Sequence, residues 1–119
     1  LPQSDLTEYR MPSGCFGTAQ PAANVKTTIY TVPAGKVATE NINVANASDT
    51  PATVHLYVGP APAQGAEWPV RYCIEPGVTL PARGVVKQTG IAIGAGESVA
   101  ILTTGNSIGV RVDGYEQEA

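Results

Sequence analysis

The residues able to do chemistry are few and far apart. His55 is the single histidine, and Cys15 and Cys73 are the two cysteines. A zinc site needs four such ligands, or three with a water, so this set falls short. Nucleophilic catalysis needs a serine or cysteine paired with an oriented base. The chain has no G-x-S-x-G element, and His55 lies in a run of alternating residues that reads as the exposed face of a strand. The acids Glu40, Asp49, Glu67, Glu75, Glu97 and Asp113 come singly, so spacing shows neither a calcium loop nor a carboxylate pair. Gly94-Ala95-Gly96-Glu97-Ser98 is glycine-rich but lacks the lysine and following helix of a phosphate loop, and reads as a hairpin turn. Asn46-Ala47-Ser48 matches a glycosylation acceptor, a short pattern with many chance matches that we set aside. The expectation is a protein with no catalytic residue, metal or cofactor.

Trp68 stands in a proline-rich loop, with Tyr57 and Tyr72 on the adjoining predicted strands. Three readings are open: a cap on one end of the core, an interface with another subunit, or an aromatic platform for a sugar ring. Cys15 and Cys73 are read first as free, buried thiols, with a bridge tying the amino-terminal segment to the body as the alternative.

The 119 residues are near the commonest size of a single domain. Charged residues make up 14% of them, with a net charge of −3, while glycine and proline number 13 and 10. An average chain carries about 25% charge, so this exterior is covered largely by small polar side chains and backbone. Such a surface suits a subunit whose faces are occupied by neighbours. The seven basic residues are scattered, which argues against nucleic acid as a partner. No apolar run approaches the roughly 20 residues of a membrane span, and the start, LPQSDLTEYR, has no signal-like pattern. The expectation is a soluble protein with no membrane partner; the compartment stays open.

Residues 1–24 contain Pro2, Pro12, Gly14, Gly17 and Pro21 and hold no sustained period. They read as an extended arm with Tyr9, Arg10, Met11 and Phe16 as anchors on the same domain or a neighbour, or else as a loose terminus. Residues 25–119 read as strand after strand. The first three are Val25–Val32, Lys36–Asn46 and Ala52–Val58, with turns at Pro33–Gly35 and Asn46–Pro51. In the third, Ala52, Val54, Leu56 and Val58 point to the core while Thr53, His55 and Tyr57 face away. A surface loop covers Gly59–Pro69. A fourth strand, Val70–Glu75, is stopped by Pro76-Gly77. Short strands follow at Val78–Leu80, Val85–Thr89 with Ile91 and Ile93, Ser98–Thr103 and Ile108–Tyr115, where Ile108, Val110 and Val112 face inward. Turn signals every 8–12 residues without a helical period predict an all-β antiparallel sandwich of seven or eight strands, jelly-roll or Greek-key in connection.

The wording of Thr27–Val58, TTIYTVPAGKVATENINVANASDTPATVHLYV, resembles small all-β virion proteins of tailed bacteriophages. The resembling elements are Thr28–Lys36, Val44–Asn46 and Thr50–Val58, joined by the Gly94–Glu97 turn and the closing strand Ile108–Tyr115. The segment before Thr27 and the Trp68 loop lie outside the resemblance. It implies a non-enzymatic structural subunit located in the virion, binding major capsid or tail proteins and associating with itself, with a trimer as one form. Capsid decoration is the first expectation from it, and a tail, fibre or baseplate part is the alternative. A carbohydrate-binding module using Trp68, Tyr57 and Tyr72 is the alternative of another class. The predicted interface residues are Tyr9, Arg10, Met11, Phe16 and Trp68.

Overall fold

A computed structural model describes residues 13–119. Eight strands run through them: β1 (Ser13–Ala19), β2 (Thr27–Thr31), β3 (Lys36–Asn46), β4 (Ala52–Pro60), β5 (Cys73–Leu80), β6 (Val85–Ile93), β7 (Glu97–Thr103) and β8 (Ile108–Glu118). One four-stranded antiparallel sheet has the order β1-β8-β3-β6 and the other β2-β7-β4-β5. That interleaving, in which the first and last described strands lie side by side and sequence neighbours other than β4 and β5 sit in opposite sheets, is a jelly-roll sandwich.

Alternation builds the core. Ile42 and Val44 of β3, Val54 and Leu56 of β4, and Ile108 and Val112 of β8 are each at most 1% exposed. Their outward neighbours Asn41, His55, Gly109 and Arg111 are exposed or half-buried. Each such aliphatic side chain contributes on the order of 1.5–3 kcal/mol by leaving water. β3 and β8 pair without interruption from Lys36↔Glu118 to Asn46↔Ile108, forming the spine of the first sheet.

The connections follow the jelly-roll expectation and differ from it at the one turn read as a hairpin. Among the described residues, the β4–β5 connection is the one that stays within a sheet; the others carry the chain across the core. The Gly94–Glu97 turn is therefore a crossover and not a hairpin. It meets the Pro33–Lys36 turn directly: Gly96 N–H donates to Val32 O at 2.9 Å, and Val32 N–H to Glu97 O at 2.9 Å. Glycines with φ of 79° at Gly35 and Gly96 let both turns reverse sharply.

Asn46 organises a third crossover. Its side chain is 2% exposed, and its amide nitrogen donates to the carbonyls of Thr50, Leu80 and Pro81 while Oδ1 accepts from Ser48. This buried amide serves the turn.

Several boundaries move. Ser13–Ala19, inside the segment read as an arm, forms edge strand β1 on β8. Val70–Tyr72 is a 3-10 turn, not the start of a strand. Pro76-Gly77 does not end a strand: β5 passes through it with bulges opposite Val54/His55 and Leu56/Tyr57. Pro76 is tolerated because β5 is an edge strand, where a missing N–H breaks no ladder bond, and Gly77 takes φ 74°. Likewise β6 continues through Gly90, at φ 68°, to Ile93.

Candidate functional site

The Trp68 loop is the most elaborate surface feature. It leaves β4 at Pro60, returns through the 3-10 turn and lies over the outer face of the sheet β2-β7-β4-β5. Trp68 is 8% exposed. Its indole stacks on Tyr57 at 5.6 Å between ring centroids and meets Tyr72 edge-on at 6.5 Å. His55 continues the row, parallel to Tyr57 at 6.5 Å. Such offset and edge-to-face pairs add about 0.5–1.5 kcal/mol each beyond the area they bury. Gly59 makes room for the row, since a Cβ there would stand 2.6 Å from the Tyr72 ring.

Two cations finish the cover. Arg71 lies over the Tyr72 ring at 4.8 Å and Lys26 over Tyr57 at 5.9 Å. The Lys26 ammonium also pairs with Glu67 at 2.9 Å, tying the loop to the chain just before β2. The hydrogen bond from Lys26, reinforced by its charge, holds the Glu67 carboxyl below its ordinary range. A cleft of about 490 Å³ remains between loop and sheet, floored by Ala100, Leu102 and Trp68.

Of the three readings of Trp68, this geometry fits a cap, though over a sheet's outer face and not at one end of the core. Both sugar recognition and subunit contact call for an exposed ring face, and here the indole surface is taken up by Tyr57, Tyr72 and the sheet. His55 sits on the outward face as expected, half-buried beneath its neighbours and beside Gly77.

The predicted anchors Tyr9, Arg10 and Met11 lie outside the described residues. Phe16 is the bulged residue of β1, between Cys15↔Asp113 and Gly17↔Val112. Its ring stacks on Tyr30 of β2 at 5.4 Å, and the Tyr30 hydroxyl donates to the Glu116 carboxylate. Phe16 thus closes the margin between the two sheets, while Trp68 covers the outer face of one; the fold does not bring them together. Glu40 is wholly buried and Glu116 is 4% exposed, both on inward positions of the first sheet. Sequence reasoning missed these acids, although their in-phase spacing with Ile42 and Val112 was a readable signal.

The cysteines are not bridged. Cys15 is exposed and Cys73 half-buried, so the expectation of buried thiols is corrected. The reason is register: Cys15 pairs with Asp113 and Cys73 with Tyr57, both outward-facing positions.

Among the described residues no three of His, Cys, Asp and Glu gather as metal ligands, and no helix is long and apolar enough to cross a membrane. No protein-family model, curated protein or solved structure matches the chain.

Proposed function

We propose that this protein is a non-enzymatic structural subunit of a bacteriophage particle, acting in the virion as a capsid decoration (cement) protein. It binds neighbouring virion proteins and associates with copies of itself in a closed ring such as a trimer. The observation that carries the reading is β1. This strand follows residues 1–12 directly, pairs on one side with β8, and has no strand on its other side among the described residues. Chain upstream of such an edge can reach a neighbouring subunit while its root is fixed in a rigid sandwich. The charge-poor exterior and the resemblance of Thr28–Val58 to small phage virion proteins support the same reading. A tail, fibre or baseplate position would use the same edge.

Analytical ultracentrifugation of the full chain, compared with a chain lacking residues 1–12, tests the association. The cut belongs before Ser13 because β1 is part of the sheet. The reading expects an oligomer from the full chain, weakened in a truncated chain that melts as before. A full chain that sediments as a monomer, and whose antibody labels no phage particles from its source strain, counts against it.

A further inference from the structure

Two acids are buried between the sheets. Glu40 of β3 is wholly buried and Glu116 of β8 is 4% exposed, both on the inward phase of their strands. The β3–β8 register sets Glu40 opposite Gly114 and Glu116 opposite Ala38, so the two are diagonal neighbours on one face, roughly 7–8 Å apart along the backbone. Carboxylates this close and this dry stay ionised only beside a cation. The Tyr30 hydroxyl, which donates to Glu116, brings no charge to offset theirs. Phe16, Tyr30, Glu40 and Glu116 each have a further ionic, hydrogen-bonding or ring partner.

A lane leads to the acids from the β1 margin. Gly14, Gly114 and Glu40 stand at one level across β1, β8 and β3, so the two positions beside Glu40 carry no side chain. Among the described residues, a Cβ built on Gly14 would meet nothing within 4 Å. Phe16 and Tyr30, stacked at 5.4 Å, stand at the same margin. Two acids with aromatic faces nearby are what a guanidinium binds, through its forked N–H groups and its flat face.

One basic residue is left for this place. The chain has seven lysines and arginines, six of them among the described residues. Lys26 holds Glu67, Lys36 holds Glu118 and Arg83 holds Asp49. Arg111 lies 2.8 Å from Asp113 and, with Asn41 as the second donor, keeps that carboxyl below its ordinary range. Arg71 covers the Tyr72 ring, and Lys87 is exposed on β6. His55 lies against Tyr57 on the other sheet. The seventh is Arg10, three residues before Ser13, whose partner Tyr115 adjoins Glu116. Three residues extend roughly 10 Å at most and the next strand is about 4.8 Å away, so Arg10 reaches the acids from its own chain.

We propose that Glu40 and Glu116 form a receptor site for the Arg10 guanidinium of the same chain, which pins the amino-terminal segment to the margin beside Phe16 and Tyr30. Residues 1–9 then remain to reach a neighbour. The pairing does not rest on the particle-subunit reading, because it forms within one chain.

Arg10→Met in the full chain tests it, since methionine keeps an apolar stem and removes the charge. Stranding two buried carboxylates should lower the melting temperature at neutral pH by on the order of 10 °C, at every protein concentration. Adding Glu40→Gln to Arg10→Met should recover part of that loss, so the two changes do not add. The cut before Ser13 acts differently: it opens the lane, water hydrates the acids, and the burial cost leaves with the cation. That truncation therefore reads association, and the point variant reads the pairing. A readout that needs no variant is NMR of the unsubstituted chain. The Arg10 Nε–H should exchange slowly with water and give nuclear Overhauser contacts to the Phe16 and Tyr30 rings. The proposal is overturned by an unchanged melting temperature in Arg10→Met, by losses that simply add in the double variant, or by an Arg10 guanidinium exchanging as fast as free arginine. Contacts found only between labelled and unlabelled chains in a mixed sample also overturn it, since Arg10 would then serve a neighbouring copy.

Discussion

The two outer faces of this sandwich have been treated in opposite ways. On the sheet β2-β7-β4-β5 the outward face of β4 carries His55 and Tyr57, and a loop folds back to cover this row with Trp68. On the sheet β1-β8-β3-β6 the outward residues Thr18, Arg111, Asn43, Lys87, Asn41 and Asp113 are polar, and no described loop covers them. Aromatic rings on a sheet face must be covered to keep their apolar area out of water, whereas a polar row is already satisfied by solvent. The first face therefore contributes to stability, while the second is left polar and open among the described residues.

Substitutions on the two faces should separate these roles. Trp68→Ala should lower unfolding free energy by about 3–5 kcal/mol, read in denaturant titrations, because it empties a buried aromatic site. A loss below about 1 kcal/mol would mean that the loop merely rests on the sheet. Gly59→Ala should come next, at about 1–3 kcal/mol, since its Cβ would strike the Tyr72 ring and its backbone sits at φ 157°. If Tyr72 swings aside without loss, the row is looser than its distances imply. Across the molecule, Asn43→Ala and Lys87→Ala should each stay within about 0.5 kcal/mol of the parent in the same titration. A larger loss from either would break the contrast between the faces.

The ion pairs give the smallest effects, and their sign follows from linkage. Asp113 has a folded pKa below its unfolded value, so its contribution is present above the unfolded pKa and fades as pH falls through the folded one. Its carboxyl NMR signal should therefore titrate at lower pH than an ordinary aspartate, and move back up in Arg111→Ala. Glu67 has the same sign through Lys26, but lies fully in solvent. Lys26→Ala should raise the Glu67 titration midpoint and leave the melting temperature nearly unchanged; a clear drop would make Lys26 a true latch for the loop.

Much of this was readable along the chain, and the misses share a cause. Val54 and Leu56, or Ile108, Val110 and Val112, declare their inward direction because β-structure repeats every second residue. Pro33-Ala34-Gly35 and Gly94-Ala95-Gly96 declare turns because few other residues tolerate the required φ. Neither signal says which strand comes next to which, so the Gly94–Glu97 turn, which reads as a hairpin, proved to be a crossover between sheets. Pro76-Gly77 misled because a strand edge tolerates what a central strand rejects, and edge position is a property of the assembled sheet. The acids Glu40 and Glu116 followed the inward phase but not the usual preference of charge for water.

By itself the sequence determined an all-β sandwich, the inward face of each main strand and the places where the chain reverses, because these depend on local geometry and a period of two. The tertiary structure alone decided the jelly-roll order, the burial of Trp68 against Tyr57, and the row joining Thr18, Arg111, Asn43 and Lys87. Those residues come from strands far apart in the chain, and only pairing across the sheet brings them into line.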